Sequence, residues 1–276
     1  MNLPVSYLFA PGHRADRFDK AAKCGTDAVI LDLEDAVDSR DKPAARDAIA
    51  AWLVAMRPGP VRILVRINHA KSPFFIDDLK LVSGLGPITV MLPKVEQATD
   101  VEALAAMLEP SSLIVPMIES ARGLRAVEAI ASAPLVQRLA FGTWDFGVDL
   151  HLSGDPRGLM MPSATIALAS RCAGIAPPIA GVTTAIHNQA AIAQDCTFAR
   201  AFGFTAKLCI HPAQIGPVHA SFAPSEAERE WAARVVAAAH DGSALKVDGA
   251  MVDRPVLLRA QAILDAGRSR HDGLLR

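Results

Sequence analysis

Eight short apolar runs recur along the chain at nearly even spacing: VSYLFA from Val5, DAVILDL from Asp27, VRILVRI from Val61, ITVMLPK from Ile88, SLIVPMI from Ser112, VQRLAFG from Val136, PIAGVTT from Pro178 and TAKLCI from Thr205. From residue 5 to residue 205 is 200 residues over seven intervals, a period of about 29, close to the ~30 residues of a strand, crossover helix and next parallel strand. Ala-rich stretches with helical spacing fill most of the gaps, among them RADRFDKAAKCG, RDKPAARDAIAAWLVAM, DVEALAAMLE and ARGLRAVEAIASA. Gly25 closes the first of these, and Pro43 stands where a first helical turn tolerates proline. The pattern predicts an α/β TIM (β/α)8 barrel, and 276 residues suffice for a fold of roughly 250 residues.

The barrel is expected to occupy residues 1–221. Residues 222–276 then form a C-terminal helical extension: PSEAEREWAARVVAAAHD reads as a capped helix and RPVLLRAQAILDAG as a second, joined by the short link VDGAMVD. The apolar face of the second helix needs a surface to bury against, so the extension is the expected place for subunit contacts.

Composition narrows the partners. Lys plus Arg (28) balances Asp plus Glu (29) without a block of like charge, which gives no support for nucleic acid or a membrane as partner. Cys24, Cys172, Cys196 and Cys209 are scattered and form no C-x-x-C pair, as expected of reduced thiols in a cytoplasmic protein. The N-terminus MNLPVSYLFAPGHR lacks the charged region and long apolar core of a signal peptide, and no apolar run approaches a membrane span.

In a barrel the groups that carry chemistry sit where strands end, so residues distant in sequence can be read as one rim. Here the rim is polar and charged. Pro11, Gly12, His13 and Arg14 follow the first strand; Glu34, Asp35 and Asp38 the second; Arg66 and Asn68 the third; Lys94 and Glu96 the fourth. Glu119 follows the fifth, Asp145 and Asp149 the sixth, and His211 the eighth. A lone strand-end carboxylate often caps the next helix, and Glu119 or Asp35 could do only that. Several carboxylates around one cavity repel unless a cation or an arginine offsets them, which favours chemistry. Hard oxygen ligands such as Glu119 and Asp145 suit a divalent cation held against a substrate.

The segments YLFAPGHRADRFDKA, DAVILDLEDAV, LPKVE, PMIESARG, FGTWDF and KLCIHPAQI, in this order and spacing, resemble the HpcH/HpaI aldolase and citrate lyase family, in its citrate lyase β-subunit-like (CitE-like) branch. The resemblance implies a TIM-barrel lyase that uses Mg2+ to break or form a carbon–carbon bond in a β-hydroxyacyl thioester such as citryl, citramalyl or malyl thioester. By motif position it makes Glu119 and Asp145 the metal ligands, and Arg66 the arginine that polarises the substrate oxygen. Glu34 and Asp35 would surround metal-bound waters. Arg14 and Arg17 match a basic loop toward coenzyme A or carrier-arm phosphates. VDGAMVDRPVLLRA matches the family's tail motif, whose aspartate, Asp253, would reach a neighbouring subunit's site as acid or base, implying a homotrimer or a hexamer.

Two positions depart from the family pattern. An aspartate is expected before Gly-Val in the seventh run, where this chain has Ala180, and AIHNQAA lacks the usual acidic residues; the resemblance therefore leaves the substrate open. The competing readings are a true citrate lyase β subunit acting on a carrier-protein thioester, an aldolase for free 2-oxo acids, and an inactive barrel serving as an assembly subunit. Cys209 with His211 as a nucleophile pair, and Lys94 as a Schiff-base lysine, are weaker readings. His211-Pro212 is expected to start the next helix, the resemblance gives the cysteine no catalytic role, and a lysine among carboxylates is expected to be ion-paired.

Overall fold

The computed structural model describes residues 3–56, 59–240 and 245–274. Eight parallel strands, β1 (Ser6–Pro11), β2 (Ala28–Asp32), β3 (Arg62–Arg66), β4 (Thr89–Leu92), β5 (Leu113–Ile118), β6 (Arg138–Phe141), β7 (Ala176–Ala180) and β8 (Ala206–Cys209), close in sequence order into a barrel. Each of the eight apolar runs contributes one of them. β7 begins two residues before the expected run and ends at Ala180, so Gly181, Val182 and Thr183 belong to the loop beyond. The linking helices are α1 (Phe18–Lys23), α2 (Lys42–Ala55), α3 (Phe75–Ser83), α4 (Ala98–Ala105), α5 (Ala121–Arg125), α6 (Val127–Ala131), α7 (Thr143–Asp149), α8 (Met160–Cys172) and α9 (Gln189–Ala201), with α10 (Ile215–Phe222) after β8. ARGLRAVEAIASA is split into two short helices at Ala126. Gly25 adopts a φ of +87° behind α1, which a side chain would strain.

Side chains alternate between the inside of the barrel and the helix layer. On β2, Ala28 and Ile30 join Tyr7, Leu64, Met91, Val115, Met117, Ala140, Ile179, Ala206 and Leu208 in the barrel's interior. Val29 and Leu31 are equally buried on the other face. This double burial is why the runs are apolar throughout rather than alternating.

Two compact units are present, one over Pro4–His219 and one that joins Leu3 to the described residues from Ala220 onward. In the second, α11 (Glu226–His240) and α12 (Arg254–Leu274) enclose a small core of Ala232, Val235, Val247 and Ala260, against which Trp231, Leu257 and Ile263 pack. Asp241, expected at the end of the first tail helix, lies outside the described residues, as do residues 1–2 and 275–276 of the expected boundaries. The VDGAMVD segment is a β-hairpin rather than a plain link: β9 (Leu245–Val247) pairs antiparallel with β10 (Ala250–Val252) around Asp248 and Gly249, both at positive φ. Asp-Gly at a two-residue turn is the cue for it. Three-residue strands are too short for periodicity to reveal. No helix among the described residues is long and apolar enough to cross a membrane.

Candidate active site at the carboxyl rim

Alternation along the strands carries the inward-facing positions up to the rim. Val115 and Met117 line the interior of β5, and the next position of that parity is Glu119. Ile30 leads in the same way to Asp32 on β2, and Leu64 to Arg66 on β3; Asp32 and Arg66 are register partners. Charged residues at these positions face the barrel axis because the pleat puts them there.

Glu119 is only 5% exposed. It does not cap the following helix; Ser120 does, accepting from the Gly123 amide at 3.1 Å. Asp149 takes the Ala121 amide at 2.8 Å, completing that helix start. Glu119 is free to turn inward, where its Oε2 accepts from the Lys94 amide at 2.6 Å. Lys94 holds a φ of +53°, strained backbone for a residue with a side chain and of the kind that concentrates at working sites. Gly142, after β6, is required by the same carboxylate, because a Cβ there would overlap it. Burial pushes the Glu119 carboxyl up to about 8, the nearby charges of Glu34 and Asp145 add to the rise, and the Lys94 amide and Arg66 only partly oppose it.

Arg66 is held from two sides. Its Nε and Nη2 donate to the two oxygens of Asp32 at 2.7 Å each, and its Nη1 lies 3.1 Å from Glu34 Oε2. Its guanidinium also covers the Phe9 ring, 4.5 Å from the centroid. Burial alone would lower its pKa, but Asp32 and Glu34 hold it above the ordinary arginine value. Lys94 Nζ stands 2.6 Å from Glu34 Oε1 and 3.1 Å from Asp35 Oδ1. Those carboxylates outweigh its burial and keep it protonated, which is incompatible with a Schiff-base nucleophile. Glu34 is itself raised by burial against the pull of Arg66 and Lys94. Both its buried oxygens have these ion-pair neighbours, yet neither accepts a hydrogen bond of good geometry.

Glu119, Asp145 and Arg66 line one small cavity of about 70 Å³, together with Phe9, Met117 and Gly142. Asp145 reaches it from the first turn of α7 and is exposed. Among the described residues, Asp32, Glu34, Asp35, Glu119 and Asp145 thus face Arg66 and Lys94 at the rim, with the Lys42 ammonium also close to Asp32, Glu34 and Asp35. A hard divalent cation fits this donor set: it relieves the negative excess, and a ligand pair of two carboxylates leaves most of an octahedral shell to water and substrate. Among the described residues no three His, Cys, Asp or Glu side chains form a full metal cage.

Of the residues expected from sequence, the structure brings together Glu34, Asp35, Arg66, Glu119 and Asp145. Arg14 sits in the turn after β1, where its Nε and Nη2 are paired with Asp16 at 2.8 and 2.7 Å, and Arg17 is exposed nearby. Asp253 belongs to the C-terminal unit, where its Oδ1 accepts from the Val256 amide at 3.2 Å and caps α12. Asn68 supports the β2 loop rather than lining the cavity: its amide nitrogen donates to Leu33 O at 3.0 Å and Asp78 Oδ2 at 2.6 Å. Three residues escaped the sequence reading. Asp32 anchors Arg66, while Lys42 binds Leu33 O at 2.7 Å, Glu34 O at 3.0 Å and Asn68 Oδ1 at 2.9 Å, and Asp78 pairs with Arg46 at 2.7 Å. The inward parity of Asp32 was a usable signal; nothing local marks Lys42 or Asp78. Cys209 is fully buried and its thiol pushed up to about 12, chiefly by burial, while His211 Nδ1 accepts from the Ala213 amide. They are not a nucleophile pair.

The family model for HpcH/HpaI aldolase/citrate lyase matches residues 5–212. A citrate lyase subunit beta-like protein of Deinococcus radiodurans is 36% identical, covering 96% of this chain and 99% of the relative. A (3S)-malyl-CoA thioesterase of Cereibacter sphaeroides is 32% identical, covering 96% and 97%. In structure, CitE of Mycobacterium tuberculosis in complex with magnesium, acetoacetate and coenzyme A superposes with a TM-score of 0.84 at 34% identity, over 95% of this chain and 97% of that one. The rim geometry, the barrel and these matches converge, and the chain belongs to the HpcH/HpaI aldolase/citrate lyase family, a family of lyases.

Proposed function

We propose that the chain is a Mg2+-dependent carbon–carbon lyase acting on a β-hydroxyacyl thioester such as malyl-, citramalyl- or citryl-coenzyme A. The observation that carries this reading is one cavity in which a buried, high-pKa carboxylate, Glu119, meets Asp145 and a doubly anchored arginine, Arg66. Glu119 and Asp145 would hold the cation, and Glu34 and Asp35 would surround its waters. Magnesium bound there supplies a Lewis acid toward the carbinol or oxo oxygen and the adjacent carboxylate of the substrate.

The remaining duties fall to side chains. Arg66 cannot swing away from Asp32, so its fixed charge is aimed where negative charge develops on the substrate oxygens. In cleavage the carbinol hydroxyl loses its proton to a base, and the bond between the carbinol carbon and the thioester α-carbon breaks. Its electron pair passes into the thioester enolate, which is then protonated at that carbon. The products are an acyl thioester and a 2-oxo acid; no water or redox partner enters. Asp253 of a neighbouring subunit, in a trimer or hexamer, is our choice for the acid or base, and Arg14 and Arg17 for the coenzyme phosphates. Arg14 would exchange Asp16 for them.

Incubation of the pure protein with Mg2+ and each of the three thioesters, followed by detection of acetyl-coenzyme A and the 2-oxo acid, tests the reading. Release of free coenzyme A with the hydroxy acid instead would favour a thioesterase, as in the Cereibacter relative, and turnover only on a carrier-protein thioester a citrate lyase β subunit. Calorimetric titration should show that Glu119→Ala and Asp145→Ala lose most Mg2+ binding; unchanged affinity in both refutes the ligand assignment. Sharing of sites is tested by mixing inactive Asp253→Ala and Glu119→Ala chains. Recovered activity requires that one chain's tail complete another's barrel.

A further inference from the structure

The small metal-site cavity is bordered by a much larger one. A cavity of about 900 Å³ lies between α7, the start of α8, the rim of β7 and α9, and it shares Thr143, Trp144 and Val182 with the small one. Its wall is apolar, built from Trp144, Val148, Leu152, Leu159, Phe198 and Phe204. Trp144 is 57% and Val148 73% exposed, large apolar groups left uncovered beside a candidate metal ligand, and such exposure is informative where scattered surface leucines are not. A volume of this size is that of an organic ligand's site rather than of a few waters.

The charges in the cavity cancel among themselves. Lys207 is 3% exposed; its Nζ donates to Gly181 O at 2.6 Å and stands 3.8 Å from Asp195, which also accepts from the Thr183 hydroxyl. Asp155 is paired with Arg157 at 2.6 Å. Among the described residues that line the cavity no lysine or arginine is left over to receive a distal carboxylate, His151 being the remaining ionisable group, and Ala180 adds only a methyl group. What the cavity offers is desolvation of an uncharged group attached close to the metal site.

Resting on the lyase reading above, we propose that the preferred substrate carries a sizeable apolar substituent on its carbinol carbon, so that cleavage releases, and condensation consumes, a 2-oxo acid with an alkyl or aryl side chain. Glu119 and Asp145 would hold the cation that receives the oxo and carboxylate end of the acid, and the side chain would pass Trp144 and Val182 into the large cavity. In condensation the thioester α-carbon loses a proton and bonds to the oxo carbon, and the oxo oxygen takes up a proton. No further reactant is needed.

The test uses acetyl-coenzyme A and Mg2+ with glyoxylate, pyruvate, 2-oxobutanoate, 2-oxohexanoate, phenylpyruvate and, as the charged control, oxaloacetate. Each added methylene should raise kcat/KM by about fourfold, the effect of burying one CH2 group, and oxaloacetate should trail 2-oxohexanoate. Calorimetric binding of the same acids gives a second readout. Gly147→Leu supplies the counterpart: Gly147 lines the cavity and a Cβ built on it meets nothing within 4 Å, so a side chain can start there and take up space in the cavity. It should cost tenfold or more with 2-oxohexanoate and leave glyoxylate within a few fold. A flat or falling profile beyond pyruvate, or an equal loss across all acids in Gly147→Leu, overturns the proposal and leaves the lyase reading standing. Binding that tightens with chain length without any turnover overturns the lyase reading and keeps the apolar pocket; neither binding nor turnover of any acid overturns both.

Discussion

Both ends of the barrel bury charged side chains, and they treat them differently. At the amino-terminal face Arg138 is fully buried without a carboxylate, and its nitrogens donate to Pro4 O at 3.0 Å, Pro177 O at 2.8 Å, Tyr7 Oη at 3.1 Å and Thr205 Oγ1 at 3.0 Å. Asp27, at the start of β2 on the same face, collects the Val5 amide at 2.8 Å, the Ser6 amide at 3.1 Å and His219 Nε2 at 3.1 Å. Burial would raise its pKa, but these donors bring it down to about 2. At the carboxyl rim Glu119 sits near 8 and the buried oxygens of Glu34 lack well-made hydrogen bonds. One end is satisfied and serves the fold. The other is left under-satisfied, a condition that a cation and a substrate can relieve, and this is the division expected between the two faces of a TIM barrel.

The contrast is broken most severely at the satisfied end. Arg138→Met should cost about 3–5 kcal/mol, since it orphans several buried acceptors worth roughly 1–3 kcal/mol each, while the kcat of the molecules still folded stays near the parent value. Urea denaturation and active-site titration would report the two quantities separately. A large kcat loss without destabilisation would erase the distinction between the ends.

At the rim the sign reverses. Arg66→Lys keeps the charge but loses the planar fork that holds both oxygens of Asp32, and turnover should fall about a hundredfold or more, as when an oxyanion donor is removed. Steady-state kinetics on the substrate found by the thioester screen decides it, and near-normal turnover would end the role given to Arg66.

Mg2+ binding sharpens the comparison through pH. Glu119 has a folded pKa of about 8, so below that value a proton must leave before the cation binds. Affinity should rise about tenfold per pH unit up to about 8 and then level off, with one proton released per ion at the lower pH values, as coupled proton and metal binding requires. Calorimetry in buffers of different ionisation enthalpy measures both. A pH-independent affinity from 6 to 9 would mean that Glu119 is already ionised in the metal-free protein.

The smallest effect is expected at Asp27. Its folded pKa lies below the ordinary carboxylate value, so its stabilising contribution is fully present above pH 4 and is lost as pH falls toward 2. Its side chain is 40% exposed, so solvent screens the interaction and Asp27→Asn should cost about 1 kcal/mol or less at pH 7. That difference should vanish in acid melts near pH 2.

Eight strands and their order were legible because closure buries both strand faces, and a doubly buried strand writes an unbroken apolar run into the chain. The positions of Glu119, Arg66 and Asp145 were legible as well, since strand ends define the rim. Whether each carboxylate capped a helix or faced the axis was not: that was decided by Ser120 taking the cap of α5, and by Asp35 lying against Lys94, 59 residues away. Local sequence also determined the Asp248–Gly249 turn, although three-residue strands carry too little pattern to announce a hairpin.

The sequence by itself determined the barrel, its period and the residue types gathered at its open end, because those follow from chain-local periodicity and from where strands stop. Only the tertiary structure decided which charges meet. Asp32 holding Arg66, Lys42 and Asp78 bracing the β2 loop, and the apolar cavity between α7 and α9 all arise from groups tens of residues apart. Their pairing depends on barrel register and helix placement, and the composition of neither partner encodes it.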